Sequence, residues 1–355
     1  MKVLDLAIDV TAAANLGEPA TVALSVHLPD PDTIGDIPVV CFAKPGGGYS
    51  RGYYTQDLPG PARGGQAEWH ARRGWIFVSL DHLGVGDSSL HAAEKLDYTT
   101  VAAGNQAAEQ EVLKRLAEGS LAEGFPAIVN PLKLGIGQSM GGCMTIIQQG
   151  RYHCYDGIGI LGYSAVHTHP PTKPGTPPIV APWLPRDTLL KQPLVMVNPR
   201  PVAEFMAANQ NATTDFSAMG WGFHYDDVAP EIVAADMAHF ARGIHDPSLH
   251  RGFTPNPWNS FTTPGAVAQS CLAPGAVAPE AAAVECPVLT AMGERDVIGD
   301  PRGELRAFKS SASVDFYICP RMGHMHNFAG TRELFWQRIA SWGEWVKIWR
   351  TAATR

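Results

Sequence analysis

Gly137-Gln138-Ser139-Met140-Gly141-Gly142 is the stretch on which the reading of the fold turns. Before it, Pro131-Leu-Lys-Leu-Gly135-Ile136 reads as a buried strand, and after it Cys143-Met-Thr-Ile-Ile-Gln-Gln149 reads as a helix. Strand, G-x-S-x-G and helix in succession predict a sharp turn that holds one serine exposed and under strain. Side chains two residues before and two after the serine would collide with neighbouring backbone, so the turn needs glycine there. It also sets Ser139 at the positive end of a helix, where an oxyanion is favoured. A small-residue turn between packed elements would give the same five letters. The flanking strand and helix favour the chemical reading.

Working outward, residues 3–13 and 21–28 alternate apolar and polar, which suits two antiparallel strands at a sheet edge. Pro38-Val-Val-Cys-Phe-Ala43 is continuously apolar, as a strand buried on both faces should be, and it ends in Lys44-Pro-Gly-Gly-Gly-Tyr-Ser50. Residues 65–73 suit a short helix, Trp75-Ile-Phe-Val-Ser-Leu80 the next buried strand, and residues 99–118 a longer two-faced helix. Gly157-Ile-Gly-Ile-Leu161 follows as another strand. This alternation predicts an α/β fold with a mostly parallel central sheet flanked by helices.

The alternation stops near residue 166. From there to about 283 the chain is rich in proline, tryptophan and histidine, with one convincing helical stretch at 228–242. The tract Pro264-Gly-Ala-Val-Ala, echoed from Pro274, reads as a linker or loop. We therefore expect an α/β core of residues 1–165 and 284–355, with 166–283 inserted as a cap. The core resumes at Cys286-Pro-Val-Leu-Thr-Ala-Met292, with Ser313-Val-Asp-Phe-Tyr-Ile-Cys319 as the last strand. Residues 331–349 form a closing amphipathic helix whose aromatic residues read as core packing.

Of the 355 residues 45% are hydrophobic, enough to bury the core of one large domain with an insertion, or of two domains. Only 17% are charged, and 29 prolines with 36 glycines point to a loop-rich globular enzyme or binding protein. The net charge of −7, with no run of lysine or arginine, argues against nucleic acid as a partner. No stretch approaches the roughly 20 apolar residues of a membrane span, and acidic residues interrupt the first ten positions where a secretory segment would be apolar. The six scattered cysteines read as reduced core residues, so a cytoplasmic location is expected. In that setting the sequon Asn211-Ala-Thr213 carries no meaning.

A serine hydroxyl attacks poorly at neutral pH without a base in contact and a third group orienting that base. Asp296, in Gly293-Glu-Arg-Asp-Val297, follows one expected strand, and His324, in Arg321-Met-Gly-His-Met-His326, follows the next. Glu294 and Asp300 are alternative carboxylates, although Asp300 is better placed to start a helix before Pro301; a turn or cap role is the plain reading of Asp296. His324 is preferred to His326 because the glycine before it permits a tight exit from the strand. The other histidine should line the pocket or satisfy a backbone carbonyl. His167/His169 and His324/His326 lack a third ligand in a recognisable spacing, so no metal is expected. An oxyanion needs two backbone donors. The amide of Met140 is one, and Gly47 is the first choice for the other, with Gly48 and Tyr49 as alternatives. Tyr49 and Tyr54 after the glycine run, Trp221 and Phe223 within residues 219–227, and His326 are expected to border a substrate; for the cap aromatics ordinary packing is an equal reading.

With these pieces placed, the chain resembles the α/β-hydrolase superfamily. Ser139, Asp296 and His324 follow the order Ser, Asp or Glu, His expected on that fold. An acid after the preceding core strand is another option there, but residues 162–165 carry none, which favours Asp296. Asp81-His-Leu-Gly-Val-Gly-Asp-Ser88 is similar to the D-x-x-G-x-G-x-S segment after the fourth strand of many members and implies a structural role. Pro45 departs from the histidine of the H-G motif common in the family. The serine sets the chain apart from dehalogenases, epoxide hydrolases and dienelactone hydrolases, which attack with aspartate or cysteine. It is similar to carboxylesterases, lactonases, serine acyltransferases and carbon–carbon bond hydrolases. The resemblance implies cleavage of an ester or lactone through an acyl-enzyme, without a cofactor. The lack of a cationic cluster and the aromatic residues of the inserted segment point to a neutral, small to medium, largely apolar substrate, and no membrane partner is expected. Homo-oligomerisation is left open. An acyltransferase or carbon–carbon hydrolase would use the same triad, whereas a non-catalytic binding protein would typically have lost a member. The inserted segment matches no subfamily, so the substrate does not carry over.

Overall fold

A computed structural model describes residues 1–177, 179, 183, 185–186, 219–241, 252 and 254–353. One sheet contains β1 (Lys2–Asp9), β2 (Thr21–Leu28), β3 (Val39–Lys44), β4 (Trp75–Leu80), β5 (Leu132–Gln138), β6 (Gly157–Leu161), β7 (Val288–Gly293) and β8 (Val314–Cys319). Their order is β1-β2-β4-β3-β5-β6-β7-β8. β1 pairs antiparallel with β2, and β2 with β4; every other neighbour is parallel. β3, β4, β6 and β7 are buried at every residue, which is why they read as unbroken apolar runs rather than alternating ones.

Core clusters lie on the two faces. On one, Val101, Val112 and Leu116 of helix Tyr98–Ala117 and Ile146 and Ile147 of helix Met140–Tyr152 pack with Val40, Phe42 and Val78. On the other, Phe335, Ile339, Trp342 and Val346 of helix Arg332–Ala353 recur at helical spacing and pack with Leu134, Ile136 and Leu289. Each such side chain contributes about 1.5–3 kcal/mol when fully buried.

Two local expectations need correction. The first strand stops at Asp9, whose carboxylate takes the Thr11 amide at 2.9 Å, and Thr11–Ala14 is a helical turn rather than more strand. The tract after Pro264 is not all loop: Gly265–Ser270 and Ala278–Ala283 are short helices. The helix expected at 228–242 spans Pro230–Ala241. Asn211 lies outside the described residues. All six cysteines are buried and free. No helix among the described residues is long and apolar enough to cross a membrane.

Candidate active site

β5 passes into helix Met140–Tyr152 through Ser139 alone, at φ 53° and ψ −123°. A non-glycine residue at positive φ costs on the order of 1–3 kcal/mol and persists only where its surroundings impose it. They do so here. The Ser139 amide donates to Leu161 O at 2.8 Å, and its carbonyl accepts from Gly142 N at 2.7 Å and Cys143 N at 3.1 Å. A Cβ on Gly137 would fall on Gly141 O, and one on Gly141 would fall on Lys44 O. Only glycine fits at either place. The serine side chain stays partly exposed at the carboxyl edge of the sheet and the N-terminus of the helix.

Asp296 and His324 follow β7 and β8, which brings them together although 28 residues separate them. His324 Nδ1 lies 2.7 Å from Asp296 Oδ1, and both groups are buried. Asp296 also accepts from the amides of Gly293 and Val297, each at 2.8 Å. Burial alone would raise the Asp296 carboxyl, but His324 and then His326 outweigh it and hold the group well below the usual carboxylate range. An ionised carboxylate can only accept, so Nδ1 of His324 carries the proton and Nε2 keeps its lone pair. That nitrogen faces the nucleophile turn: the side-chain amide of Gln138 donates to it at 3.3 Å and to His324 O at 3.1 Å. The Ser139 hydroxyl has no hydrogen-bond partner among the described residues.

His326 departs from expectation. Its Nε2 lies 2.8 Å from Asp296 Oδ2, a carboxylate rather than a backbone carbonyl. The short turn His326–Phe328 folds the chain back, and the imidazole packs on Phe335 at 4.4 Å. Its Nδ1 is buried without a partner among the described residues. Glu294 instead accepts from Arg321 N at 2.8 Å, and Asp300 caps the turn Pro301–Arg306. Directly after β6 a side chain at position 162 would be strained, because Gly162 is at φ 60° and a Cβ there would stand 3.0 Å from both Asp296 oxygens.

The glycine run forms a tight turn in which Tyr49 N donates to Gly46 O at 3.2 Å, with Gly48 at φ 81°. The Tyr49 amide is therefore committed and drops out as an oxyanion donor. The amides of Gly47, Gly48 and Met140 have no acceptor among the described residues. Behind the turn, Asn105 Nδ2 donates to His82 Nδ1 at 3.0 Å, which leaves the His82 Nε2 proton for Pro45 O at 3.3 Å. Burial, aided by Lys44, pushes His82 down to about 4, so the ring is neutral and holds the loop by a fixed tautomer. Asp81 accepts from the amides of Arg51 at 2.6 Å and Asp87 at 3.0 Å and pairs with the Arg51 guanidinium, a structural role. Fully buried Lys44, just before the turn, contacts Glu109 and the Tyr155 hydroxyl, each at 2.6 Å.

Of the residues expected to border a substrate, Phe223 reaches the site, its ring 5.0 Å from that of His324. Tyr49 and Tyr54 are fully buried, and their hydroxyls are committed to Asp236 (2.6 Å) and Lys44 O (2.9 Å), so neither offers a polar tip to a ligand. Trp221 lies under the Arg295 guanidinium at 4.4 Å. The rings of His167 and His169 meet at 3.8 Å, and no group of three or more metal-holding side chains occurs among the described residues. His82, Gln138 and Asp236 are site neighbours that sequence reasoning missed; His82 sits inside the Asp81–Ser88 motif and Gln138 inside the G-x-S-x-G turn, whereas Asp236 belongs to no motif.

No protein-family model matches the chain, and no curated protein sequence matches it. Solved structures do. A proline iminopeptidase from Mycobacterium smegmatis superposes with a TM-score of 0.57 at 15% identity, over 97% of this chain and 99% of that one. VinJ does so with a TM-score of 0.54 at 16% identity, over 97% and 99%. A malate-bound esterase from Thermogutta terrifontis gives 0.53 at 16% identity, over 96% and 99%. The chain has the α/β-hydrolase fold. At these identities the likeness speaks for the fold alone.

Proposed function

We propose that the protein is a serine hydrolase that cleaves a carboxylic ester or lactone through an acyl-enzyme. The observation that carries this reading is His324, whose Nδ1 rests on ionised, buried Asp296 while its Nε2 faces the turn that presents Ser139. Gln138 yields its place at Nε2 to the serine hydroxyl. His324 then takes the Ser139 proton as the oxygen attacks the carbonyl carbon, and Asp296 stabilises the imidazolium. The tetrahedral oxyanion rests on the amides of Met140 and Gly47, at the positive end of the helix. Collapse expels the alcohol, which takes the proton from His324. Water, deprotonated by the same nitrogen, attacks the acyl carbon, and a second collapse releases the acid and restores Ser139. General-base assistance and the oxyanion donors each contribute on the order of 10² or more in rate. These residues need no cofactor for the sequence of steps.

Residues 166–283 serve in this reading as a cap, and Phe223 on the His324 ring supports an apolar wall beside the reacting carbonyl. A neutral, largely apolar substrate of small to medium size follows. A panel of aryl esters and lactones, graded by acyl length and ring size and run with and without an alcohol acceptor, tests the proposal. Release of free acid whatever the acceptor is expected. Turnover only with an alcohol, or none with any ester or lactone, would overturn it.

A further inference from the structure

Asp236 lies on helix Pro230–Ala241, 0% exposed, with no lysine or arginine paired to it among the described residues. Its carboxylate accepts from four side chains. Tyr49 Oη and His224 Nε2 reach Oδ2 at 2.6 and 2.9 Å, and Trp258 Nε1 and Asn259 Nδ2 reach Oδ1 at 2.9 and 3.4 Å. Burial works against the charge, yet these donors hold the carboxyl below its ordinary range. A buried carboxylate is a costly way to fasten a segment, so what its donors are attached to matters.

Tyr49 closes the turn that contains Gly47 and Gly48, and Ser260 N, next to Asn259, donates to Gly48 O at 2.9 Å. His224 closes the turn Gly220–Phe223 by donating its amide to Gly220 O at 3.0 Å. That turn supports the base directly: His324 N donates to Gly222 O and Met325 N to Phe223 O, each at 2.8 Å. One carboxylate thus joins the backbone that bears His324 to the loop that bears the Gly47 amide.

We propose that Asp236 is a positioning residue that sets the oxyanion loop and the His324 segment in register through Tyr49 and His224. The proposal rests on the assignment of Ser139, His324 and Asp296 as a triad. It acts on the transition state, because the distance between base and oxyanion donor matters only once the tetrahedral centre forms. Asn cannot replace it, since a single carbonyl oxygen cannot receive donors aimed at two carboxylate oxygens.

The test uses the full chain and two variants, Asp236→Asn and Tyr49→Phe, the second deleting one oxygen and nothing else. Three quantities are compared per folded molecule: kcat, KM, and the rate of Ser139 labelling by an aryl phosphonate. Asp236→Asn should lower kcat about 10²-fold and Tyr49→Phe about tenfold, with KM nearly unchanged and labelling slowed in parallel. If Asp236→Asn does not fold, Tyr49→Phe alone decides. Folded variants that match wild type in kcat and labelling overturn the proposal, as does a loss confined to KM. Failure of wild type itself to label at Ser139 would instead remove the triad on which the proposal rests.

Discussion

His326 Nε2 and Asp296 Oδ2 are joined at 2.8 Å, on the side of the carboxylate opposite the 2.7 Å contact with His324 Nδ1. One acid is held between two imidazoles, and only one of them keeps a lone-pair nitrogen toward the Ser139 turn. Burial drives His326 below the ordinary histidine range, so it serves as a neutral donor that fixes the Asp296 carboxylate plane. His324→Gln should cut kcat/KM by about 10³-fold or more, and His326→Gln by about tenfold. The reverse ranking in steady-state kinetics would move the base to His326.

Ser139→Ala and Ser139→Gly should both lose about 10³-fold or more in turnover, but they should differ in stability. The φ of 53° strains alanine as it strains serine, while glycine adopts it freely. Urea unfolding should find Ser139→Gly more stable than Ser139→Ala by about 1 kcal/mol. Equal midpoints would mean that the turn carries no strain.

Burial pushes His70 and His82 down to about 4, against about 6.5 in an unfolded chain. Between those values the unfolded state binds more protons, so stability rises with pH across the window. The contribution is complete above about pH 6.5 and drains away as pH falls toward about 4. The urea midpoint should therefore drop between about pH 7 and pH 5, and less so in His70→Gln. A flat midpoint over that interval would contradict neutral burial of these rings.

Lys44 and Glu109 meet at 2.6 Å with almost no exposure. Removing one partner leaves the other charge buried and unmatched, so Glu109→Ala should cost about 3–5 kcal/mol by chemical denaturation. Lys44→Met combined with Glu109→Gln should recover much of it. A loss in the double variant equal to that of Glu109→Ala would show that packing, not charge, is at stake.

Much of the core was readable because its strands are uniform. β4 and β6 match their expected bounds residue for residue, since unbroken apolar runs end where the sheet does. Helix Gly265–Ser270 leaves no mark in the sequence, because six residues cannot show a helical period. The G-x-S-x-G turn was legible because its sterics are local. The tie from Tyr49 to Asp236, 187 residues away, was not, because nothing in either segment names the other. His326 shows the same limit at close range: two histidines two residues apart look alike until a turn decides which nitrogen meets Asp296.

The most direct test of the account is mass spectrometry of the intact protein and its peptides after exposure to an aryl phosphonate. One adduct is expected, on the peptide bearing Ser139, absent in Ser139→Ala, nearly abolished in His324→Gln and retained in His326→Gln. A folded wild-type protein that takes no label, or takes it on another residue, would contradict the account.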